Sequence, residues 1–288
     1  MATSQALSPS AATARQKRLS RRARWLIFVV AWLIVLMPFL FWRSTWFGRP
    51  LSDTELTEYL HDPSKPRHIQ HALVQIGERL SRGETRTIDQ WYPDLVTLSA
   101  SPVEEIRTTD AWVMGQAPPR PELHAALLLL LKDSSLNVRN NAALALVRYG
   151  DSSGHAQIVS MLRPIAVASS ASGTVTQLGT AGEPIRAGTV LARIKSPASA
   201  EDVRSPITGS IAAVAVTNGA NITAGAAIAS VAPGTDQVWE ALRALYFIGT
   251  ADDLNDVKAY ERPQPNVADR VQQQARDTER AIKTRAAR

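Results

Sequence analysis

The sequence contains no cysteine. This absence excludes disulfides, thiolate nucleophiles and cysteine-based metal sites together. It does not fix the cellular compartment, because a protein without thiols suits either side of a membrane. The hydrophobic fraction of 45% and the charged fraction of 20% are those of a folded chain, and 288 residues suffice for one large or two modest domains.

The body of the chain also lacks a surplus of positive charge. The formal net charge is +6, but residues 1–24 alone carry six basic residues and no acidic one, so the other 264 residues sum to zero. A nucleic-acid-binding domain normally has its own basic face. We therefore expect no nucleic acid among the partners.

One long stretch without charge occurs near the N-terminus. Trp25–Trp42 has eighteen uncharged residues, close to the minimum for a membrane-spanning helix, with tryptophans at both ends and basic residues on one side. A cleaved signal peptide is the alternative, but the bulky, basic residues 41–50 are unlike a cleavage site. The pattern predicts a basic cytoplasmic tail at residues 1–24, a single-pass anchor at 25–42 in a bacterial-type inner membrane, and a periplasmic bulk.

Residues 51–164 have the pattern of paired helices. Proline, glycine and serine breakers cut them into segments of roughly ten to fifteen residues. Ser101–Gly115 and Ser134–Val147 share a polar turn, an apolar-arginine pair and a small-apolar helix face, 32 residues apart. Leu127–Asp151 resembles a HEAT repeat, and Asp62–Gly77 resembles a degenerate first member. Helices of such repeats bury their apolar sides only by stacking, which implies an α-solenoid.

Residues 165–234 contain one short pattern twice. The copies are SGTVTQLGTAGEPIRAGTVLARI, Ser172 to Ile194, and TGSIAAVAVTNGANITAGAAIASV, Thr208 to Val231. In each, a glycine opens an alternating apolar run, a second follows nine or ten residues later, and a third follows six residues after that. Such doubling indicates a duplicated β unit.

The duplicated stretch, with the turn SPITG at Ser205–Gly209, resembles the biotinyl/lipoyl fold and the lipoyl-like core of HlyD-type periplasmic adaptor proteins. The resemblance implies a flattened barrel of two four-stranded sheets related by a pseudo-twofold. Carriers of this family bear a modified lysine on the hairpin between the halves, and alignment places that position at Ala198. Lys195 is three residues early, so no cofactor is expected. The long helical hairpin of HlyD-type adaptors is also missing.

The helical pattern resumes after the β unit. Residues 155–164 read as the first helix of a repeat, and residues 235–262 have the spacing of its partner, so the β unit is predicted to be inserted into one repeat. Residues 263–288 are a polar tail, either a solvated helix or disordered, with disorder favoured. The predicted fold class is therefore α+β multidomain: an N-terminal transmembrane helix, a HEAT-like solenoid and an inserted lipoyl-like β barrel-sandwich.

Other candidate sites are weak. His61, His68 and His71 lie close in sequence, but no carboxylate completes a metal set, so we interpret them as surface or packing residues. Residues 179–182 read as turn glycines rather than a phosphate loop, and residues 252 and 253 as the end of a helix. Two arginines, Arg107 and Arg139, match the arginine that ties the turn of a HEAT repeat. No catalytic, cofactor or metal residue is predicted.

The function expected from the sequence is that of a non-enzymatic scaffold. It would mediate protein-protein contacts in an envelope or transport-related assembly. The expected partners are the membrane and other envelope proteins, such as a transporter or a large membrane complex. The alternative is a cofactor-carrying or ligand-binding module that uses Lys195 or the β surface. A third hypothesis is that the protein is a bilin lyase, because some HEAT-like proteins have this activity. Nothing in the sequence supports it.

Overall fold

The computed structural model of the chain describes residues 21–44, 49–197, 199–264 and 266–287, without the side chains of residues 23, 24, 26 and 38–44. The chain divides into two units, Met1–Pro50 and Leu51–Arg288. Most of the predicted basic tail, residues 1–20, lies outside the described residues. So does Ala198, the position aligned with a carrier lysine.

The first unit contains helix α1, Arg21–Ser44, and does not support the predicted anchor. No helix within the described residues has the length and apolar character that a membrane crossing requires. The predictions of a transmembrane helix at 25–42 and of a single-pass inner-membrane protein are therefore wrong for the described chain.

The second unit consists of helices α2 to α11 and eight strands. The helices before the strands are α2 Asp53–Leu60, α3 Pro66–Ser81, α4 Tyr92–Leu98, α5 Glu104–Met114, α6 Pro121–Leu130, α7 Leu136–Arg148 and α8 His155–Ser160. The helices after the strands are α9 Thr235–Ile248, α10 Leu254–Lys258 and α11 Asp269–Ala286. Short 3₁₀ turns at Asp89–Trp91 and Ala251–Asp253 precede α4 and α10.

The helices stack as a solenoid of consecutive pairs. α2 packs on α3, and the pairs α4/α5, α6/α7, α8/α9 and α10/α11 repeat this contact. The second helices of the pairs, which we call the B helices, form a column in which α3, α5, α7, α9 and α11 each contact the next. Each B helix buries one apolar side against its neighbours. The buried side chains form two clusters, one from α2 to α7 and one from α7 to α11, and α7 contributes to both.

Local sequence explains where the helices begin. Ser52 and Glu55 form a reciprocal capping box before α2, and the Ser135 hydroxyl accepts from the Val138 N–H at the start of α7. Prolines occupy the first turns of α3 and α6, at Pro66 and Pro121, where a missing N–H costs nothing.

The eight strands lie between α8 and α9, which contact each other. They are β1 Ile165–Ala168, β2 Gly173–Leu178, β3 Pro184–Ile185, β4 Val190–Lys195, β5 Ala200–Arg204, β6 Gly209–Val214, β7 Asn221–Ile222 and β8 Ala227–Pro233. They form two antiparallel four-stranded sheets, in the orders β1-β8-β6-β3 and β5-β4-β2-β7. Leu136, at the start of α7, packs against the apolar core between the sheets and so connects this β unit to the solenoid.

The two halves of the β unit have the same connectivity. The strands of the two sheets correspond one to one: β1 matches β5, β8 matches β4, β6 matches β2 and β3 matches β7. With this correspondence the two sheets have the same strand order. Equivalent turns repeat as well: Gly182 N–H donates to the Ile211 carbonyl and Gly219 N–H donates to the Val175 carbonyl, both at 2.7 Å. The duplication read in the sequence is thus a pseudo-twofold in three dimensions.

Glycine at four turn positions is required by the backbone. Gly182, Gly188, Gly219 and Gly225 have φ between +82° and +87°, a region that residues with a Cβ rarely adopt. These are the second and third glycines of each copy of the sequence pattern. Of these, Gly182 was predicted from the sequence to be a turn residue, and its positive φ agrees with that prediction.

The C-terminal segment is ordered, contrary to the disorder favoured from its composition. α11 packs on α9 and buries Val271, Ala275, Thr278 and Ile282, a narrow stripe spaced by four, three and four residues. The Thr278 hydroxyl donates to the Leu242 carbonyl at 2.8 Å. A polar helix with one apolar stripe is ordered when that stripe is buried against a neighbouring helix and its polar face meets water.

The core of the solenoid contains one carboxylate without a partner. Asp110 of α5 is fully buried, and neither of its oxygens has a hydrogen-bond partner among the described residues. Burial raises the pKa of Asp110 well above its ordinary value. The folded state therefore holds this proton more tightly than the unfolded chain does, and stability falls as the pH rises from about 4 through the raised pKa.

Replacement of Asp110 by alanine is expected to raise the free energy of unfolding at neutral pH by about 1–3 kcal/mol, because it removes an unsatisfied buried group. The gain should shrink in acid, where the carboxyl is protonated in both states. Urea denaturation at neutral and acid pH measures both effects. Asp110→Asn is the control: it removes the titration but keeps a buried polar group, so its gain should be smaller. A less stable Asp110→Ala variant would contradict the prediction.

Candidate interaction surface

A groove follows the column of B helices from α5 to α11. Three cavities of about 190, 460 and 620 Å³ lie in succession between α5, α7 and α9, between α7 and α9, and between α9 and α11. The first two share Leu144, Arg148 and Glu240, and the last two share Arg243 and Phe247. Because their linings overlap, they form one continuous surface, which we call the B-helix groove.

Exposed aromatic side chains are concentrated in this groove. Among the described residues of the second unit, five large apolar side chains are exposed, and Trp112, Tyr246 and Phe247 of the groove are three of them. Phe247 is 67% exposed and meets Tyr246 edge to face at 5.2 Å between ring centroids. Contiguous exposed apolar surface rimmed by polar groups is typical of a protein-binding site.

Small residues let Trp112 and its helix pack closely on their neighbours. A Cβ built on Gly77 of α3 would come within 2.2 Å of Cζ3 of Trp112, so the indole rests directly on this glycine. At the C-terminus of α5, a Cβ on Gly115 would come within 2.8 Å of the Ala145 Cβ, so α5 and α7 lie close together there. The indole is consequently held in place while 37% of its residue surface remains exposed.

The groove has an excess of positive charge. Its lining includes four arginines, Arg148, Arg243, Arg280 and Arg285, against two carboxylates, Glu240 and Asp277, a formal net charge of +2. Arg285 is structural, because it donates to the carbonyls of Leu245, Tyr246 and Gly249 at the C-terminus of α9. The other three arginines are exposed to solvent.

Arg243 is held in position by an aromatic ring. Its guanidinium stacks over Trp239 at 4.5 Å from the ring centroid, and Arg270 lies 5.2 Å from the same ring. Its contact with Glu240 is long, at 3.6 Å. The stacked guanidinium is therefore held against the ring, and stacking leaves the N–H donors at its edge free to bind other groups.

Lys195 lies far from the groove in the fold, at the end of β4. It is exposed, and it pairs in register with Ala200 of β5 and Thr174 of β2. The hairpin that follows is closed by the Ser196 N–H, which donates to the Ser199 carbonyl at 2.8 Å. Lys195 is thus a strand residue next to the connection between the two halves.

The three clustered histidines make separate contacts. His61 Nε2 lies 2.8 Å from Oδ1 of Asp94, the His68 ring stacks on Tyr59 at 4.1 Å, and His71 Nε2 lies 2.8 Å from Nε2 of Gln75. Within the described residues, no group of three histidine, aspartate or glutamate side chains is placed to hold a metal ion.

The remaining sequence candidates have structural contacts. Gly179–Gly182 is the turn between β2 and β3. Asp253, which is buried, accepts from the Thr250 N–H at 2.7 Å and contacts His155 Nε2 at 2.7 Å. Asp252 belongs to the same 3₁₀ turn.

Arg107 and Arg139 tie the inter-helix turns, as the repeat motif implies. Arg107 Nη1 donates to the Ser101 carbonyl at 2.8 Å, and Arg139 Nη1 donates to the carbonyls of Asp133 and Ser134 at 2.7 and 2.9 Å.

Sequence reasoning missed the groove altogether. Its residues come from four helices, and the β unit separates Arg148 from Arg243 in the chain. The one signal available was the pair Tyr246 and Phe247, two adjacent aromatic residues near the end of an otherwise regular apolar pattern. The buried residues of α9 are Val238, Ala241, Leu242, Ala244 and Leu245, and Tyr246 and Phe247 fall outside this stripe.

Comparisons with known proteins find similarity among solved structures only. No protein-family model and no curated protein matches the sequence. Among solved structures, the chain is similar to a designed armadillo repeat protein, with 12% sequence identity and a TM-score of 0.40, over 79% of this chain and 80% of that one.

Proposed function

We propose that this protein is a non-enzymatic scaffold that binds another protein through the B-helix groove. The observation that carries the proposal is the concentration of exposed aromatic side chains in a groove that also contains oriented arginines. Aromatic residues and arginine dominate the binding energy of protein interfaces. Stacked helical repeats supply a rigid, extended surface for such a contact.

In this proposal the repeats are HEAT-like and the β unit is an unmodified member of the biotinyl/lipoyl type. The turn arginines Arg107 and Arg139 support the first assignment. The exchange of the two four-stranded sheets under a pseudo-twofold supports the second. Because Leu136, at the start of α7, packs against its core, the β unit would serve as a projection from the solenoid.

Site-specific photocrosslinking tests the proposal. With p-benzoylphenylalanine in place of Phe247 or Trp112, we expect both positions to give an adduct with the same protein in the producing cells. Leu129 of α6 is the matched control, because it is 70% exposed but contributes to none of the three groove cavities. Equal adducts from Leu129, or none from either groove position, would refute a binding role for the groove.

A second candidate function is a cofactor carrier that uses Lys195. It is favoured by one observation: Lys195 is exposed and adjoins the hairpin between the two halves of the β unit. Carriers of the biotinyl/lipoyl family, which the β unit resembles, bear their modified lysine on this hairpin. Intact-mass spectrometry of the protein from its own cells decides the matter. A lipoyl or biotinyl increment that disappears in Lys195→Ala would support the carrier, and an unmodified mass would exclude it.

A further inference from the structure

We propose that the B-helix groove binds an extended acidic segment of the partner, with carboxylates at about every third residue and an apolar side chain against Phe247. This inference rests on the function proposed above and specifies the chemistry of the partner. It is carried by the arrangement of Arg148, Arg243 and Arg280, and by the aromatic pair that lies among them.

The three arginines have spare hydrogen-bonding capacity. Arg148 makes one long bond, 3.3 Å, to the Gly115 carbonyl. Arg243 and Arg280 contact carboxylates of their own helices at 3.6 and 3.7 Å, beyond normal hydrogen-bond length. A guanidinium has five N–H donors and binds a carboxylate through two of them, so a partner's carboxylate can form better bonds than those present. Exposed pairs within one helix contribute little and are readily exchanged.

The spacing of the arginines sets the spacing of the partner's charges. Each arginine lies on a successive B helix: Arg148 on α7, Arg243 on α9 and Arg280 on α11. Packed helix axes lie roughly 8–10 Å apart. A polyproline-II segment advances about 3.1 Å per residue with three residues per turn, so every third side chain is on one face at intervals of about 9 Å. Carboxylates three residues apart therefore match one arginine per helix.

The apolar part of the ligand follows from Phe247. This side chain is shared by the cavities between α7 and α9 and between α9 and α11, where it lies beside Arg243. An apolar residue between two of the carboxylates would cover it and shield the adjoining ion pairs from water. A basic segment would meet the net charge of +2 and be repelled. Nucleic acid is disfavoured, because residues 25–288 have no net positive charge.

Binding of synthetic peptides to the full chain tests the inference. The probe is a fluorescent peptide with glutamate at every third position and leucine between. Its comparisons are a peptide of the same composition with the glutamates contiguous, and one with lysine in place of glutamate. We expect the spaced glutamate peptide to bind at least about tenfold more tightly than either, and less tightly at high salt. Arg243→Glu and Arg148→Glu should each weaken binding about tenfold or more, whereas Arg86→Glu, an exposed arginine outside the groove cavities, should not.

Any one of four results would overturn the inference. Absence of binding, equal binding of the lysine or contiguous peptide, indifference to Arg148→Glu and Arg243→Glu, or displacement by a single-stranded oligonucleotide at the same site would exclude an acidic protein segment as the ligand. If photocrosslinking at Phe247 nonetheless yields a specific protein, the groove remains a binding surface with a partner of different chemistry. If both experiments fail, the proposed function fails with the inference.

Discussion

Replacement of Arg107 by alanine is expected to lower the free energy of unfolding by about 3 kcal/mol. Arg107 forms a bidentate pair with Asp133, with Nε at 2.6 Å from Oδ2 and Nη2 at 3.0 Å from Oδ1. The pair joins α5 to the turn before α7, and the two side chains are only 15% and 10% exposed. Alanine would leave the Asp133 carboxylate nearly buried, with the Ser135 N–H at 2.7 Å as its main remaining donor.

The neighbouring repeat provides a matched control. Arg139 stands at the equivalent position, but its closest bonds go to the neutral carbonyls of Asp133 and Ser134. Arg139→Ala therefore leaves no buried charge unpaired, and we expect a smaller loss in the free energy of unfolding, about 1–2 kcal/mol. The double variant Arg107→Ala/Asp133→Ala should recover part of the loss, because the unpaired carboxylate is gone. Urea denaturation measures all three, and an equal loss for Arg139→Ala would contradict the charge-based explanation.

The Arg107 effect should depend on pH in a defined direction. The hydrogen bond from Arg107 lowers the pKa of Asp133 below its ordinary value near 3.8. A carboxyl with a lowered folded-state pKa contributes stability that is present above about pH 4 and is lost as the pH falls through the lowered pKa. The difference in the free energy of unfolding between wild type and Arg107→Ala should therefore be largest near neutral pH and should become smaller in strong acid.

Those parts of the fold that depend on local chemistry could be predicted from the sequence. The turn glycines, such as Gly182 and Gly219, follow from a backbone conformation that few other residues adopt. The turn role of Arg107 follows from a motif in which arginine reaches back to a carbonyl six residues earlier. In both cases the partner atoms are close in sequence or fixed by the repeat, so spacing alone determined the contact.

The features that were missed or wrong depend on partners far away in the chain. α11 was expected to be disordered because its sequence is polar, yet Val271 and Ile282 dock on α9, which restores order. The groove requires side chains from four helices that are brought together only by stacking. The error at Trp25–Trp42 came from an uncharged run with terminal tryptophans and basic residues on one side, a pattern that the described residues of α1 do not support as a membrane crossing.

The second large effect is expected in the same helix pair, at the start of α4, where Trp91→Ala should lower stability locally by about 3–5 kcal/mol. Trp91 precedes α4, is 1% exposed, and its indole N–H donates to the Thr57 hydroxyl of α2 at 2.9 Å. The Arg79 guanidinium of α3 lies 5.9 Å from its ring. This one side chain therefore connects both helices of the first pair to the second.

Hydrogen exchange should show that the loss is confined to the first pairs. In a solenoid each repeat contacts only its neighbours, so a defect at one end opens that end first. We expect faster amide exchange in α2 and α3 of Trp91→Ala and unchanged exchange in α9 and α11, with the groove still able to bind. Trp91→Phe is the control: it keeps most of the buried ring and loses the bond to Thr57, so it should cost only about 1 kcal/mol. Uniformly faster exchange through α11 would instead show that the second unit unfolds as one cooperative body, in which case a variant at Trp91 would also weaken binding at the distant groove.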